Sequence, residues 1–309
     1  MSMLNSAAQR AAARAQARQA AAAAALPSHH TTCNTSTQFD TTVVEFPERF
    51  DATRERAAAV GLDVQFSPAV DRRSDPAVLS RIAPILSFLR SNDSCRFNFA
   101  DEIAKKIAMW RARQRAYALA AKSSRPTLVL ESDSAFTGNR CSAAAAFCRR
   151  TSALLDALKK NSWDILYFGH CYEAYDKVQT CYRLPELFLT RSIRPKCTHA
   201  MLYTPKSAGR MHAALSHWDQ SFVGRFVREG AEKAWRRTMD GCKRIHPQLA
   251  GADVDVAHQA HRERAYLVSP PLIQQAWIQV VPEGHPGLPM LPQACRHAQP
   301  FETLSSGIS

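Results

Sequence analysis

Between Thr41 and Phe66 the chain spells a strand, a helix and a second strand, and that spacing constrains the fold more than any other feature. Thr41 to Phe46 is β-branched and apolar and is stopped by Pro47. Asp51 to Val60 then reads as a helix, with Asp51 as a candidate N-cap and Gly61 in the C-terminal position. Val64 and Phe66 alternate with polar residues, as a second strand does. This is the start of a βαβ unit, which places the chain in the α/β class.

The later segments continue that grammar. Ile103, Ile107, Trp110 and Tyr117 recur near helical spacing and predict a helix over 101–121. Thr127 to Leu130 follows Pro126 and has the aliphatic content of a buried parallel strand. A helix over 143–160 is expected next, then a second buried strand from Asp164 to Phe168 that ends at Gly169. His199 to Thr204 reads as a shorter strand, Lys206 to Leu215 as a helix, and 220–244 as a basic helical insertion. From Pro282 the chain is rich in Pro, Gly and His and reads as irregular. Residues 1–39 stand apart, being Ala-rich with Arg10, Arg14 and Arg18 and no acidic residue before Asp40. That composition suits either an organelle transit peptide or a low-complexity leader. The expected organisation is a leader over 1–39, one domain over 40–285 and a tail over 286–309.

Composition narrows the classes. In 309 residues, 46% are hydrophobic, enough for one large core or two modest ones and too many for a wholly disordered chain. No run of about 18 apolar residues reads as a membrane span, and no charged segment leads into a Leu-rich signal region. An intracellular location, cytoplasmic or organellar, is the expectation. The nine cysteines form no CxxC pair, which removes the zinc ribbon, the c-type haem site and the thioredoxin motif. Reduced, buried thiols are expected. Forty Lys+Arg against 27 Asp+Glu leave a net charge of +13, which admits nucleic acid, acidic lipid or a phosphorylated small molecule. Lys105, Lys106, Arg111, Arg113, Arg115, Lys122 and Arg125 form one basic stretch, and 225–244 another. No helix-turn-helix, zinc finger or aromatic RNA-binding signature accompanies them, so the charge is read as a solvated helix face before a nucleic-acid surface.

The apolar run at Thr127–Leu130 leads straight into Glu131-Ser132-Asp133. In open α/β sheets, ligands bind outside the carboxyl ends of strands. Two acids separated by one residue at such an end can hold a hard divalent cation, which in turn neutralises a diphosphate. Equally, either acid can cap the next element or make a surface ion pair.

Further segments occur in a definite order: Phe46-Pro47-Glu48-Arg49, Gly61-Leu62-Asp63-Val64, Ala69-Val70-Asp71, Leu128 to Phe136, Trp163-Asp164 to Gly169, Thr198-His199-Ala200-Met201, Val254-Asp255, and Pro270 to Gln275. In that order they resemble glycosyltransferase family 25, of the lipooligosaccharide and procollagen galactosyltransferase type. The resemblance implies a GT-A-like α/β fold with a mixed, mainly parallel central sheet. It also implies an inverting, metal-assisted transfer of a hexose, galactose first, from a UDP-sugar donor to a hydroxyl of a glycan or protein acceptor. Glu131 and Asp133 would then hold Mn²⁺ or Mg²⁺, with Arg49, Asp71 and Asp164 on the donor side. Asp255, close to Asp253, would be the base or a second metal-side acid. Ser132 replaces the family's middle acid, and the segment Asp101–Trp110 lacks its Ser-His pair. A catalytically degenerate relative is therefore the alternative. Trp163 has a packing role or a sugar contact open to it, and His199 a structural role or a donor contact. Gln274 and Gln275 bind a sugar hydroxyl or close a helix end. His29 with His30, and Cys295 with His297, have poor metal-ligand spacing.

Overall fold

Short apolar runs in this chain become strands covered on both faces. The computed structural model describes residues 38–88, 94–136, 140–159, 162–170, 181–184, 186–192, 199–225, 264–269, 271–275, 295 and 299–300. The chain divides into Met1–Thr32 and Cys33–Ser309, and the architecture that follows belongs to the second unit. It begins with β1 (Asp40–Glu45), a 3-10 turn (Pro47–Arg49), α1 (Phe50–Ala58), β2 (Val64–Pro68), α2 (Pro76–Phe88) and α3 (Ser94–Lys122). Next come β3 (Thr127–Glu131), β4 (Ser134–Phe136), α4 (Arg140–Leu158), β5 (Ile165–Gly169), β6 (Cys181–Leu184) and β7 (Leu187–Arg191). The remaining elements are β8 (Ala200–Tyr203), α5 (Pro205–Arg225), β9 (Ala265–Ser269), β10 (Ile273–Gln275) and β11 (Gln299–Pro300).

Nine strands form one sheet in the order β11-β6-β7-β9-β5-β8-β3-β1-β2, and β4 with β10 forms a separate pair. The α/β class and the opening βαβ unit are both present, with β1 parallel to β2 and to β3. Four neighbour pairings are parallel and four antiparallel, so the sheet is evenly mixed rather than mainly parallel. The balance shifts because β8 runs against both β3 and β5, and β7 against both β6 and β9.

Side chains alternate across each central strand, as the period of two requires. Val129, Ile165, Tyr167, Met201, Tyr203 and Leu267 enter one core, shared with Ile107, Trp110 and Tyr117 of α3 and Met211 and Leu215 of α5. Leu128, Leu130, Leu166, Phe168, Leu202 and Val268 enter the other, shared with Ala57 of α1 and Phe147, Leu154 and Leu158 of α4. Burial of each large side chain contributes about 1.5–3 kcal/mol. Trp163 packs, partly buried, against the second core.

Local chemistry fixes the element ends. Gly61, at φ 75°, ends α1: its N–H donates to the Ala58 carbonyl at 3.0 Å and that of Leu62 to the Ala57 carbonyl at 3.1 Å. That is a Schellman cap, and the left-handed backbone suits glycine. Asp51 lies in the first turn of α1 rather than at its cap, which is Arg49. At the end of β1 the buried Glu45 carboxylate accepts from the Phe46 N–H at 2.9 Å and the Thr53 hydroxyl at 3.0 Å, tying α1 to the strand it follows.

The expectation of reduced thiols is corrected. Cys181, opening β6, is disulfide-bonded to Cys295 across 114 residues, with Cα atoms 5.0 Å apart. Cys148 is disulfide-bonded as well. Within the segment read as an irregular tail, Gln299–Pro300 pairs in parallel with Tyr182 and Arg183 of β6. Among the described residues no helix is long and apolar enough to cross a membrane. The leader, Asp255 and most of 220–244 lie outside the described residues. Because the Cys181–Cys295 link closes a long loop, Cys181→Ser is expected to lower unfolding free energy by about 2–4 kcal/mol in a urea titration. A wild-type midpoint insensitive to dithiothreitol would contradict this.

Candidate functional site

The first three parallel strands place the cleft. From β1 the chain moves outward to β2, then returns over α2 and α3 to β3 on the other side of β1. The carboxyl ends of β1 and β3 therefore diverge at a topological switch point, where open α/β sheets bind ligands. A cleft of about 310 Å³ opens there. Val44 and Phe46 at the end of β1, Ala69 and Val70 after β2, and Ala108, Met109 and Ala112 of α3 form its apolar wall. Asp71, Arg72, Lys105, Arg113, Glu131, Ser132 and Asp133 supply its polar lining.

Arg113 is the anchor. It stands on the same helical stripe as Ile107, Trp110 and Tyr117, so α3 drives a guanidinium toward the sheet with the apolar residues. Its side chain is 7% exposed and forms an ion pair with Glu131 at the end of β3. Burial lowers the guanidinium's affinity for its proton, while Tyr117, Tyr203 and Asp133 oppose that shift. The Tyr203 hydroxyl lies 3.0 Å from that of Tyr117, and burial first, then the neighbouring phenols, push its pKa well above the usual value. Arg113 is thus the residue that the reading of a solvated basic face missed. Its spacing from Trp110 and Tyr117 was the available signal.

The acidic turn is held from β8. The His199 carbonyl accepts from the Glu131 N–H at 2.9 Å and from the Ser134 hydroxyl at 2.6 Å. Its ring Nε2 lies 3.2 Å from the Ile273 carbonyl, and because a carbonyl only accepts, Nε2 carries the proton. A Cβ on Gly169 would stand 2.1 Å from that Nε2 and 2.5 Å from the Ile273 oxygen, so the ring occupies the space that a side chain would fill. Burial pulls the His199 pKa below its usual value; Ile273 and Asp133 oppose this and Arg113 adds to it. Next to it, burial and then His199 pull His170 down to about 3.

At the mouth, Asp71 closes a turn, accepting from the Arg73 N–H at 3.0 Å and the Ser74 hydroxyl at 2.8 Å. Those bonds hold its carboxyl below the usual range. Arg72 and Lys105 both reach Asp101, at 2.6 and 3.1 Å. Arg72 first, then Lys105, lowers the Asp101 pKa.

Of the residues read as a site, Glu131, Asp133 and Asp71 come together in the cleft. Arg49 is exposed in the turn after β1 and is not part of the lining. Asp164 precedes the central strand β5, at the opposite, amino end of the strands, where it is buried and pairs with Arg210 at 2.6 Å. Asp255 lies outside the described residues. Gln274 and Gln275 belong to β10, whose backbone pairs with Ala135 and Ser134 beside the acidic turn.

The two buried histidines set a pH dependence. Above about pH 6.5 both folded and unfolded chains hold them neutral, and their contribution to stability is complete. As pH falls, the unfolded chain takes up protons that the native chain refuses, and stability is lost progressively toward the depressed folded value of about 3 for His170. The slope is at most about 1.4 kcal/mol per pH unit for each histidine. His170→Asn is expected to flatten the dependence between about pH 6.5 and 4.5, above the range where ordinary carboxylates titrate. An unchanged slope in denaturant melts across that window would contradict the assignment.

Comparison with known families corrects the functional expectation. A family model described as FAD linked oxidases, C-terminal domain, matches residues 7–222. No curated protein matches the chain. The span covers the cleft-forming strands, α3 and the acidic turn, and it overturns the reading as glycosyltransferase family 25. Galactosyl transfer from a UDP-sugar, and the Mn²⁺ or Mg²⁺ cofactor that went with it, fall with that reading, and the match points instead to an FAD-linked oxidase family. The physical reason lies in the lining. Glu131, the first of the two acids read as metal ligands, is engaged by the Arg113 guanidinium instead. With the match covering most of its length, the chain belongs to the FAD-linked oxidase C-terminal domain family.

Proposed function

We propose that the chain works in an FAD-linked oxidoreductase and that its switch-point cleft receives one nucleotide end of the dinucleotide. The observation that carries this is the cleft's division into an apolar wall and a charged floor at the carboxyl ends of β1, β2 and β3. A planar base needs the first and a ribose phosphate the second.

The residues fit part of the cofactor. Between β1 and α1 the connection Phe46–Arg49 contains no glycine, so the backbone-amide cradle of a pyrophosphate is not built there. Cationic side chains stand in for it. A volume of about 310 Å³ suits a single nucleotide rather than the whole dinucleotide. In this reading Phe46 and Met109 flank the base, and the Asp71 carboxylate accepts from ribose hydroxyls. Arg113, Arg72 and Lys105 face phosphate charge, with Glu131 keeping the Arg113 fork oriented. Flavin, when bound, supplies the chemistry, accepting two electrons from the oxidised substrate. The working unit in this proposal begins at 40 and runs past 285 to β11, because Cys295 and Gln299–Pro300 are tied to β6.

The test is ligand-induced stabilisation of the full chain by FAD, ADP and riboflavin, each measured separately. FAD and ADP are expected to raise the melting midpoint, through a gain in unfolding free energy of about 2.7 kcal/mol at a hundredfold excess over Kd, and riboflavin to leave it in place. Phe46→Ala should weaken ADP binding about fivefold, the value of one aromatic stacking contact. Lys105→Ala, at the exposed rim, should weaken it by a few-fold, and more at low salt. A chain that neither FAD nor ADP stabilises would sink the reading.

A further inference from the structure

We propose that His199 is a positioning residue for the acidic turn, and that Gly169 is the seat that makes this possible. The turn Glu131–Ser134 has to place Glu131 against Arg113 and keep Asp133 in the cleft lining. Its two arms are tied to a single atom, the His199 carbonyl oxygen, which accepts from the Glu131 N–H and the Ser134 hydroxyl. That oxygen is only as well placed as the residue carrying it. On the ladder, Ala200 pairs with Leu130 and with Gly169, so His199 lies just before β8 and beyond the last β8 register pair on each side.

The ring provides the missing restraint. It is fully buried, donates from Nε2 to the Ile273 carbonyl at 3.2 Å, and lies against the bare Cα of Gly169. Its Nδ1 has no hydrogen-bond partner among the described residues, so one polar bond and steric enclosure hold the ring. A Cβ at Gly169 would approach within 2.1 Å of Nε2 and 2.5 Å of the Ile273 oxygen, displacing ring and acceptor together. Ile273 belongs to β10, whose partner β4 begins at Ser134, so the same clamp continues into the far arm of the turn. The arrangement is a closed circuit: turn to carbonyl, ring to Ile273, and β10 back to the turn.

The consequence for ligand binding rests on the nucleotide reading of the cleft. The geometry of the turn does not, and hydrogen exchange reads it directly. In the full chain without ligand, the Glu131 amide is expected to be protected. In Gly169→Ala and His199→Ala its exchange should accelerate about tenfold, the loss of one hydrogen bond's net worth. His199→Gln keeps a side-chain amide donor for the Ile273 carbonyl and should restore most of the protection. Ser134→Ala, which removes one arm without touching the ring, should accelerate exchange less than either ring variant. A general loss of packing would not be rescued by glutamine, so that rescue separates positioning from bulk stability. In parallel, ADP affinity should fall about tenfold in the variants that loosen the turn and recover in His199→Gln. If Glu131 exchange is unchanged in folded His199→Ala and Gly169→Ala, or if glutamine fails to rescue it, the inference is overturned. If wild-type protein binds no ADP while exchange follows the predicted pattern, the positioning role stands and only the nucleotide reading fails.

Discussion

Burial of the central strands on both faces is the constraint on which the rest of the structure depends. β3, β5 and β8 send alternate side chains into two separate cores, so their interiors have no room for an unpaired charge. Polar chemistry is thereby confined to strand ends. At the amino end of β5 Asp164 pairs with Arg210 and its carbonyl accepts from Ser207 at 2.6 Å, closing that end. At the other end of the strands the carboxyl ends of β1 and β3 diverge and leave a cleft. The antiparallel β8 completes the arrangement. An antiparallel strand begins where its parallel neighbours finish, so His199 meets Glu131 on one side and Gly169 on the other.

Arg113 shows what such a strand end can hold. Taking a guanidinium out of water costs several kcal/mol unless charges and hydrogen bonds surround it. Glu131 supplies the direct partner, and the field of Asp133 favours the charged form. The acids at the end of β3 therefore act first on a protein cation. That accounts physically for why two carboxylates one residue apart need not imply a divalent metal. It also leaves the cleft with cations and acids side by side, a lining suited to a ligand carrying both hydroxyls and phosphate.

Much of the fold was legible locally. The βαβ opening was readable because its punctuation is local: Pro47 stops one strand and Gly61 takes a left-handed cap. The runs at Thr127 and Asp164 were readable because strands covered on both faces must be continuously apolar. β6, β7 and β9 were not read, since short strands gain their identity from neighbours that lie far away in sequence, such as Phe188 opposite Ser269. The disulfide was invisible for a similar reason, as Cys181 and Cys295 are brought together only by the edge of the sheet. The family resemblance went astray on motifs that any α/β sheet tends to repeat: an apolar run, then an acid at its end. Arg113 was counted with the solvated cations because charge was tallied along the chain rather than by helical face.

By itself the sequence determined the α/β class, the parallel pairing of the first two strands and the presence of Glu131 and Asp133 at a strand end. These follow from period, caps and breakers, which act within a few residues. Only the tertiary structure decided that Asp71 joins those acids, that Asp164 does not, and that a buried arginine stands between the cores and the cleft. It alone also brought His199 onto Gly169. Those choices depend on strand order and direction, which are set by how elements far apart in the chain cover one another's apolar faces.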